Sequence, residues 1–390
     1  IKIKFKDLLG PSVDHQSRID FPRDWENTAT DKQFFDDFKN FILRDDVVVL
    51  GGNDNDSYGH DLYSSGKDPE LQLPIETGNE GMVCRKDSDN WVIFNRNNGT
   101  KLRLSFEDNP TPYIKATSPE LVDVKITDYC ASNCAFCYQN SNVRGKHASL
   151  SIVTILADAF NRMKVFEVAL GGGEPTAHPD FIRILEAFRK NNVVPNFTTK
   201  SLEWLKNEKN KKEILKLCGN FAYSVQSAKD VEALCEFYPK DLYMGVKPKP
   251  VVHYVMGTTD ENEFKNIVAA CEDNRFTLTL LGYKTTGRGK LFAPKSNGKW
   301  LKYLTDLQKV NQCPTIAVDT KLAQEFEKEL KRTKIPTELY HKEEGKFSMY
   351  VDAVNGLIGP SSYCSKEEIL PLFIKHETAV EVMLDTFAKF

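Results

Sequence analysis

LVDVKITDYCASNCAFCYQNS (121–141) is a short apolar run followed at once by a loop that carries three cysteines. The run has the length and β-branched composition of a buried strand. The same layout recurs downstream. Strand-like runs at VFEVALG (165–171), VVPNFTT (193–199), FAYSVQS (221–227), PVVHYVMG (250–257) and FTLTLLG (276–282) alternate with amphipathic helical patterns. The helical patterns include SLSIVTILADAFNRM (149–163), FIRILEAFRKN (181–191), SLEWLKNEKNKKEILKLC (201–218) and DENEFKNIVAACED (260–273). Such an alternation predicts a parallel sheet with right-handed crossovers. Six β/α units are too few for a closed eight-stranded barrel, so the expected class is α/β, a partial (β/α)6 barrel. Chemistry in such folds collects at the C-terminal ends of the strands. A functional motif must therefore directly follow a strand.

Residues outside this series read differently. In the N-terminal part, FFDDFKNFIL (34–43) has helical spacing and DDVVVLGG (45–52) reads as a short strand. NWVIFNRNNGTKLRLSFE (90–107) reads as a hairpin through Asn98–Gly99. Beyond the series, KWLKYLTDLQKV (299–310), KLAQEFEKELKR (321–332) and 374–388 read as helices, and SMYVDAVNGLIGP (348–360) as a hairpin turning at Asn355–Gly356. The expected division is an α+β accessory domain over 1–117, the barrel over 118–292 and a C-terminal extension over 293–390.

Composition narrows the class. The chain of 390 residues is 41% hydrophobic and 27% charged, with a net charge of −3, which is ordinary for a globular protein. No run approaches the roughly 18 apolar residues of a membrane span, and the N-terminus lacks a signal-peptide pattern, so a cytoplasmic location and no membrane partner are expected. The charge balance gives no support for a large duplex nucleic-acid footprint. Nine cysteines are too sparse for a disulfide scaffold. Cys84, Cys218, Cys235, Cys271, Cys313 and Cys364 are scattered and read mostly as small buried side chains.

Cys130, Cys134 and Cys137 are different, because C-x3-C-x2-C on one loop can wrap a soft metal or an Fe–S cluster. A mononuclear zinc site would need a fourth ligand, for which His147 is the nearest candidate. A cubane would hold three irons and leave the fourth open. A second motif, GGGEP (171–175), follows the second strand directly. As a plain tight turn it would use glycine for positive φ and Pro175 to stop the strand, but that leaves the carboxylate of Glu174 unexplained.

CASNCAFC (130–137) resembles the radical S-adenosylmethionine (radical SAM) signature, with Phe136 in its aromatic position, and Gly172, Gly173, Glu174 and Pro175 resemble that family's GGEP motif. The resemblance covers roughly residues 120–290. It implies a [4Fe–4S] cluster on the three cysteines, with the open iron binding the amino and carboxylate groups of S-adenosylmethionine. Reductive cleavage of the sulfonium would then give a 5′-deoxyadenosyl radical that abstracts hydrogen from a substrate. The resemblance also places adenine against the backbone near Phe136. The methionine amine would lie near the glycines, assisted by Glu174 directly or through a hydrogen-bond network. An electron donor of flavodoxin or ferredoxin type is implied.

Weaker matches obey the same rule of position. Asn196, Thr198 and Thr199 end the third strand, and Ser224, Gln226 and Ser227 end the fourth, where SVQS resembles the family's ribose- and carboxylate-contacting segment. Strand-end capping explains them equally well. Val255 and Met256 stand where relatives contact adenine, or simply in the core. In LLGYKTTGRGK (280–290), Lys284 and Arg288 could clamp a substrate carboxylate or phosphate, or form a solvated basic turn. On the clamp reading, Arg288→Ala would weaken turnover and leave uncoupled cofactor cleavage intact.

YVDAVNGLIGPSSYC (350–364) resembles part of a SPASM or Twitch extension, but Cys313 and Cys364 alone cannot make a four-cysteine site. A degenerate extension without a second cluster is expected unless Cys271 joins them. Cys364 also resembles the C-terminal cysteine with which certain relatives methylate RNA, though a structural thiol is the plainer reading. The expected function is a radical SAM enzyme acting on a peptide or protein side chain. The alternatives are a nucleotide or other small metabolite as substrate and, from another class, a non-catalytic Fe–S or zinc sensor.

Overall fold

The computed structural model describes residues 2–4, 48–50, 82–87, 90–96, 99, 101–105, 114–238, 250–295, 298–335, 340–372 and 377–390. The chain divides into two compact units, 1–117 and 118–390. In the first, β1 (Lys2–Lys4) pairs in parallel with β2 (Val48–Leu50). The strands β3 (Met82–Asp87), β4 (Asn90–Asn95) and β5 (Lys101–Ser105) form an antiparallel sheet. Its middle strand is buried throughout, with Trp91 and Phe94 almost wholly covered. The hairpin expected around Gly99 is present, and Gly99 has a φ of +73°. The helix expected at 34–43 lies outside the described residues.

The second unit is built on a ten-stranded sheet. Strands β6 (Leu121–Thr127), β7 (Glu167–Gly172), β8 (Val194–Thr199), β9 (Phe221–Ser224), β10 (Pro250–Val255), β11 (Thr277–Leu281) and β12 (Ile316–Val318) lie side by side in chain order, all parallel. On the other flank β13 (Ser348–Asp352) runs parallel to β6, and β14 (Leu357–Gly359) and β15 (Leu370–Pro371) follow antiparallel. Among the described residues the two outer strands do not pair, so the sheet is open there, as in a partial barrel. The C-terminal extension expected at 293–390 is continuous with this sheet. A buried ion pair joins the two parts: Lys125 of β6 binds Asp352 of β13 at 3.0 Å and also Asp128.

The crossovers are α1 (Leu150–Arg162), α2 (Phe181–Lys190), α3 (Leu202–Lys206), α4 (Glu208–Leu217), α5 (Ala228–Phe237) and α6 (Glu261–Asp273). Their buried residues recur at helical spacing, for example Val153, Leu156, Ala157 and Phe160 on α1, capped by Ser149. The single helix expected over 201–218 is two. Asn207 interrupts it, and its side chain accepts from the backbone of Lys209 and Asn210 as the cap of α4. Further on lie α7 (Trp300–Lys309), α8 (Thr320–Glu325), α9 (Glu327–Leu330) and α10 (Ala379–Lys389).

Residues on the helix-facing side of the sheet are sealed. Phe197 meets Phe181 and Trp204, and Tyr254 meets Phe264. Alternate residues point to the opposite side, because side chains along a strand repeat with period two. There Asp123, Glu167, Asn196, Thr198, His253, Thr277 and Thr279 are only part-buried. A sheet packed on both faces would be apolar on both. This one is lined by polar groups on its inner side, from the start of the strands (Glu167, Thr277) towards their ends (Thr198).

Candidate active site

The site grows from the ends of consecutive strands. At the end of β6, Thr127 is fully buried and its hydroxyl accepts from the backbone N–H of Tyr129 at 2.9 Å. The loop then doubles back: the N–H of Cys130 donates to the carbonyl of Asn142 at 3.0 Å. Between these points lie Cys130, Cys134 and Cys137, all free thiols and all part-exposed.

The turn after β7 packs directly on the start of this loop. The N–H of Gly173 donates to the carbonyl of Thr127, and that of Glu174 to the carbonyl of Tyr129, both at 2.7 Å. Gly172 has a φ of +121°, and a Cβ there would overlap the carbonyl of Thr127; a Cβ on Gly173 would overlap the carbonyl of Tyr129. Gly171, by contrast, has open space beside it. The two glycines of the motif are therefore demanded by close backbone approach, and the third is not.

Glu174 is buried and acts through the network. One carboxylate oxygen accepts from the hydroxyls of Thr176 and Thr199, each at 2.6 Å, and the other from the N–H of Lys200 at 2.9 Å. The turn after β7 is thereby bolted to the end of β8. Lys200, which no motif marked, extends its ammonium to within 3.5 Å of the Cys134 sulfur and donates to the side-chain oxygen of Gln226. The sequence-predicted Thr198 and Ser224 end their strands on the inner side, part-exposed. Ser227 and Asp230 form a capping box on α5, so that part of SVQS is a helix start. Asn196 accepts from the backbone of Asn220 and donates to Glu167, away from the strand end.

Two candidates have other surroundings in the structure than a ligand contact would give them. Met256 is 1% exposed and belongs to the core; its neighbour Val255 is the part-exposed one. Arg288 is not a free cation at the mouth. Its guanidinium donates to the carbonyl of Cys134 at 3.0 Å and of Ser141 at 2.9 Å, while its backbone N–H donates to the carbonyl of Cys137 at 3.0 Å. Gly287 lies so close to the carbonyls of Tyr138 and Cys137 that a Cβ would clash with them. Phe136 packs edge-on against Phe292, which stacks on Tyr283. The segment after β11 is thus a brace for the cysteine loop.

Lys284 does reach the inner side. Its ammonium sits 3.9 Å from Asp319 and 4.8 Å from the ring centres of both Tyr138 and Tyr363. Burial alone would lower its pKa, but Tyr138 and the carboxyls of Asp319, Asp123 and Glu344 outweigh that and raise it. Burial pushes Asp123 up to about 6, against the opposing pull of Lys284. Burial, helped by Lys284, pushes His253 down to about 4. Both residues are nonetheless part-exposed, as groups lining a deep interior space would be.

These shifts predict a pH signature. Asp123 binds its proton more tightly folded than unfolded, so its stabilising contribution is present below pH 3.8 and lost as pH rises through about 6. His253 is the reverse: its contribution is present above pH 6.5 and lost as pH falls through about 4. The two oppose each other across one window. Urea midpoints measured against pH should climb more steeply with pH in Asp123→Asn than in wild type, and less steeply in His253→Gln. Curves parallel to wild type would show that neither group is perturbed.

Among the described residues, no three His, Cys, Asp or Glu side chains converge on a point that would hold a metal ion. His147 bonds to the Thr127 hydroxyl at 2.8 Å and packs against Tyr129 and His178. His147 is thus engaged by the end of β6 and by neighbouring rings. Cys271 is buried in α6, and Cys313 is pushed up to about 11 by burial. The thiol of Cys364 donates to the carbonyl of Ser361 at 3.0 Å, and burial raises its pKa, which suits a structural thiol better than a nucleophile. It lines a cleft of about 710 Å³ together with Glu344 and Tyr363.

A fold of this kind, with a cysteine loop and a glycine turn at adjacent strand ends, defines a class, and sequence comparison names it. Residues 124–284, about two-fifths of the chain, match the radical SAM superfamily. S-adenosylmethionine and a [4Fe–4S] cluster are its cofactors. The chain is similar to the GTP 3′,8-cyclase of Haemophilus influenzae, 38% identical over 68 residues, which are 16% of this chain and 20% of that protein. The GTP 3′,8-cyclase of Photorhabdus laumondii is 31% identical over 74 residues, 18% and 23% of the two chains. The chain thus spans about a fifth of the length of the curated relatives it matches. Among solved structures, Streptococcus suis SuiB bound to its precursor peptide SuiA is similar in fold. The TM-score is 0.57 at 15% identity, with 80% of this chain and 90% of SuiB covered. No described helix is long and apolar enough to cross a membrane.

Proposed function

We propose that the protein is a radical-forming enzyme in which Cys130, Cys134 and Cys137 hold the cluster and the turn Gly172–Pro175 receives S-adenosylmethionine. When bound, these cofactors supply a 5′-deoxyadenosyl radical through one-electron cleavage of the sulfonium. The chain's own residues position and shield. Gly172 and Gly173 keep the turn flush with the cysteine loop. Glu174 fixes that turn to the end of β8, and Thr198, Ser224 and Gln226 offer polar contacts beside it. Arg288 and Phe136 hold the loop's far side. A small electron-transfer protein of flavodoxin or ferredoxin type would deliver the electron. The observation that carries this reading is the pairing of Gly173 and Glu174 N–H groups with the strand that leads into Cys130.

For the substrate, the reading is a peptide or protein side chain. Cations commonly meet a nucleoside triphosphate, and of the two that the sequence singled out, Lys284 is ringed by Asp123, Asp319 and Glu344 and Arg288 is engaged by the loop. The likeness in fold to SuiB, whose structure holds a precursor peptide, accords with this. The likeness to GTP 3′,8-cyclases favours a nucleotide instead. The two separate in one assay, with the reconstituted enzyme given GTP or a panel of peptides. A peptide product with altered mass supports the first reading. Turnover of GTP, with no peptide altered, removes it.

A further inference from the structure

We propose that Lys200 is a positioning charge that sets the reduction potential of the cluster. The inference rests on Cys134 being a cluster ligand, and it goes beyond that reading by giving a function to a residue in no family motif used above.

Lys200 directly follows β8, and three contacts fix it. Its backbone N–H donates to Glu174 at 2.9 Å. Its ammonium donates to the side-chain oxygen of Gln226 and stands 3.5 Å from the Cys134 sulfur. Gln226 is held in turn, since its backbone N–H donates to Asp230 at 2.8 Å. The ammonium is thus locked beside one thiolate of the cluster site by the ends of two strands. It is part-buried, so solvent screens it less than a surface charge. Hydrogen bonds and positive charge at cluster sulfurs favour the reduced form, because the added electron spreads onto the thiolates. A fixed cation there makes the electron easier to accept. That matters where a low-potential electron must arrive before the sulfonium is cleaved.

The test is a potentiometric titration followed by electron paramagnetic resonance, on reconstituted full-length protein without S-adenosylmethionine or substrate. Lys200→Met should lower the equilibrium constant for one-electron reduction about tenfold, a shift of about 59 mV to more negative potential. Lys200→Arg should stay near wild type, and Gln226→Leu, which frees the ammonium, should shift in the same direction as Lys200→Met but less. A loaded Lys200→Met cluster with the wild-type potential overturns the proposal. So does an unchanged potential with weakened S-adenosylmethionine binding, which would assign Lys200 to the cofactor carboxylate instead. If Lys200→Met loads no cluster, Gln226→Leu decides, and a wild-type potential there overturns the proposal too. Failure of the underlying reading looks different: the wild-type protein itself would assemble no cubane.

Discussion

Gly173→Ala is expected to cut 5′-deoxyadenosine formation by about two orders of magnitude, the cost of an ångström-scale misplacement at a reaction centre. The added Cβ would overlap the carbonyl oxygen of Tyr129. That oxygen is backbone, and it already accepts from the N–H of Glu174 at 2.7 Å, so it cannot swing away as a side chain would. The turn must lift from the cysteine loop, and Glu174 then loses its register with Thr199 and Lys200. Gly171→Ala is the matched control, because its Cβ would enter open space. Near-wild-type turnover in Gly171→Ala and loss in Gly173→Ala, at equal cluster loading, would confirm the packing argument. Equal activity in both would refute it.

Arg288→Ala should lose the cluster before it loses the substrate. Its guanidinium supplies two hydrogen bonds to loop carbonyls, those of Cys134 and Ser141. Bonds of a charged donor contribute about 1.5–3 kcal/mol each, and without them the thiol loop has to find its geometry unaided. Iron retained per chain after desalting should fall, and cofactor cleavage should fall equally with and without substrate. Lysine at this position should restore little, since an ammonium cannot fork to two carbonyls as a guanidinium does. A variant with full cluster and normal uncoupled cleavage, but impaired substrate turnover, would return Arg288 to the substrate clamp its sequence position suggested.

The difference over Arg288 shows where the sequence stops being informative. Strand ends, and motifs that follow them, are local, so LVDVKIT and CASNCAFC can be placed from the chain alone. Which backbone an arginine reaches across a gap of some 150 residues is not local; the bond from Arg288 to Cys134 spans 154. Lys200 was invisible for the same reason, because one lysine after a strand carries no spacing signal. Other features were legible but passed over. Asp123 and Lys125 alternate with Val122, Val124 and Ile126 in β6, a period-two pattern that marks a polar inner face. The box Ser227-x-x-Asp230 marks the start of α5. Met256 stays open between two readings in the sequence, because an apolar residue at a strand end fits a ligand wall and a core equally until its neighbours are known.

The central claim, that three loop cysteines and the adjoining glycine turn form a radical-generating centre, has one direct test. The protein is reconstituted anaerobically with iron and sulfide, given S-adenosylmethionine and dithionite, and assayed for 5′-deoxyadenosine by mass spectrometry beside Cys134→Ala. The account predicts a cubane and 5′-deoxyadenosine in the wild type, and neither in the variant. A fully loaded wild-type cluster that neither binds nor cleaves S-adenosylmethionine, with or without added peptides, would contradict it and leave a cluster-binding sensor in its place.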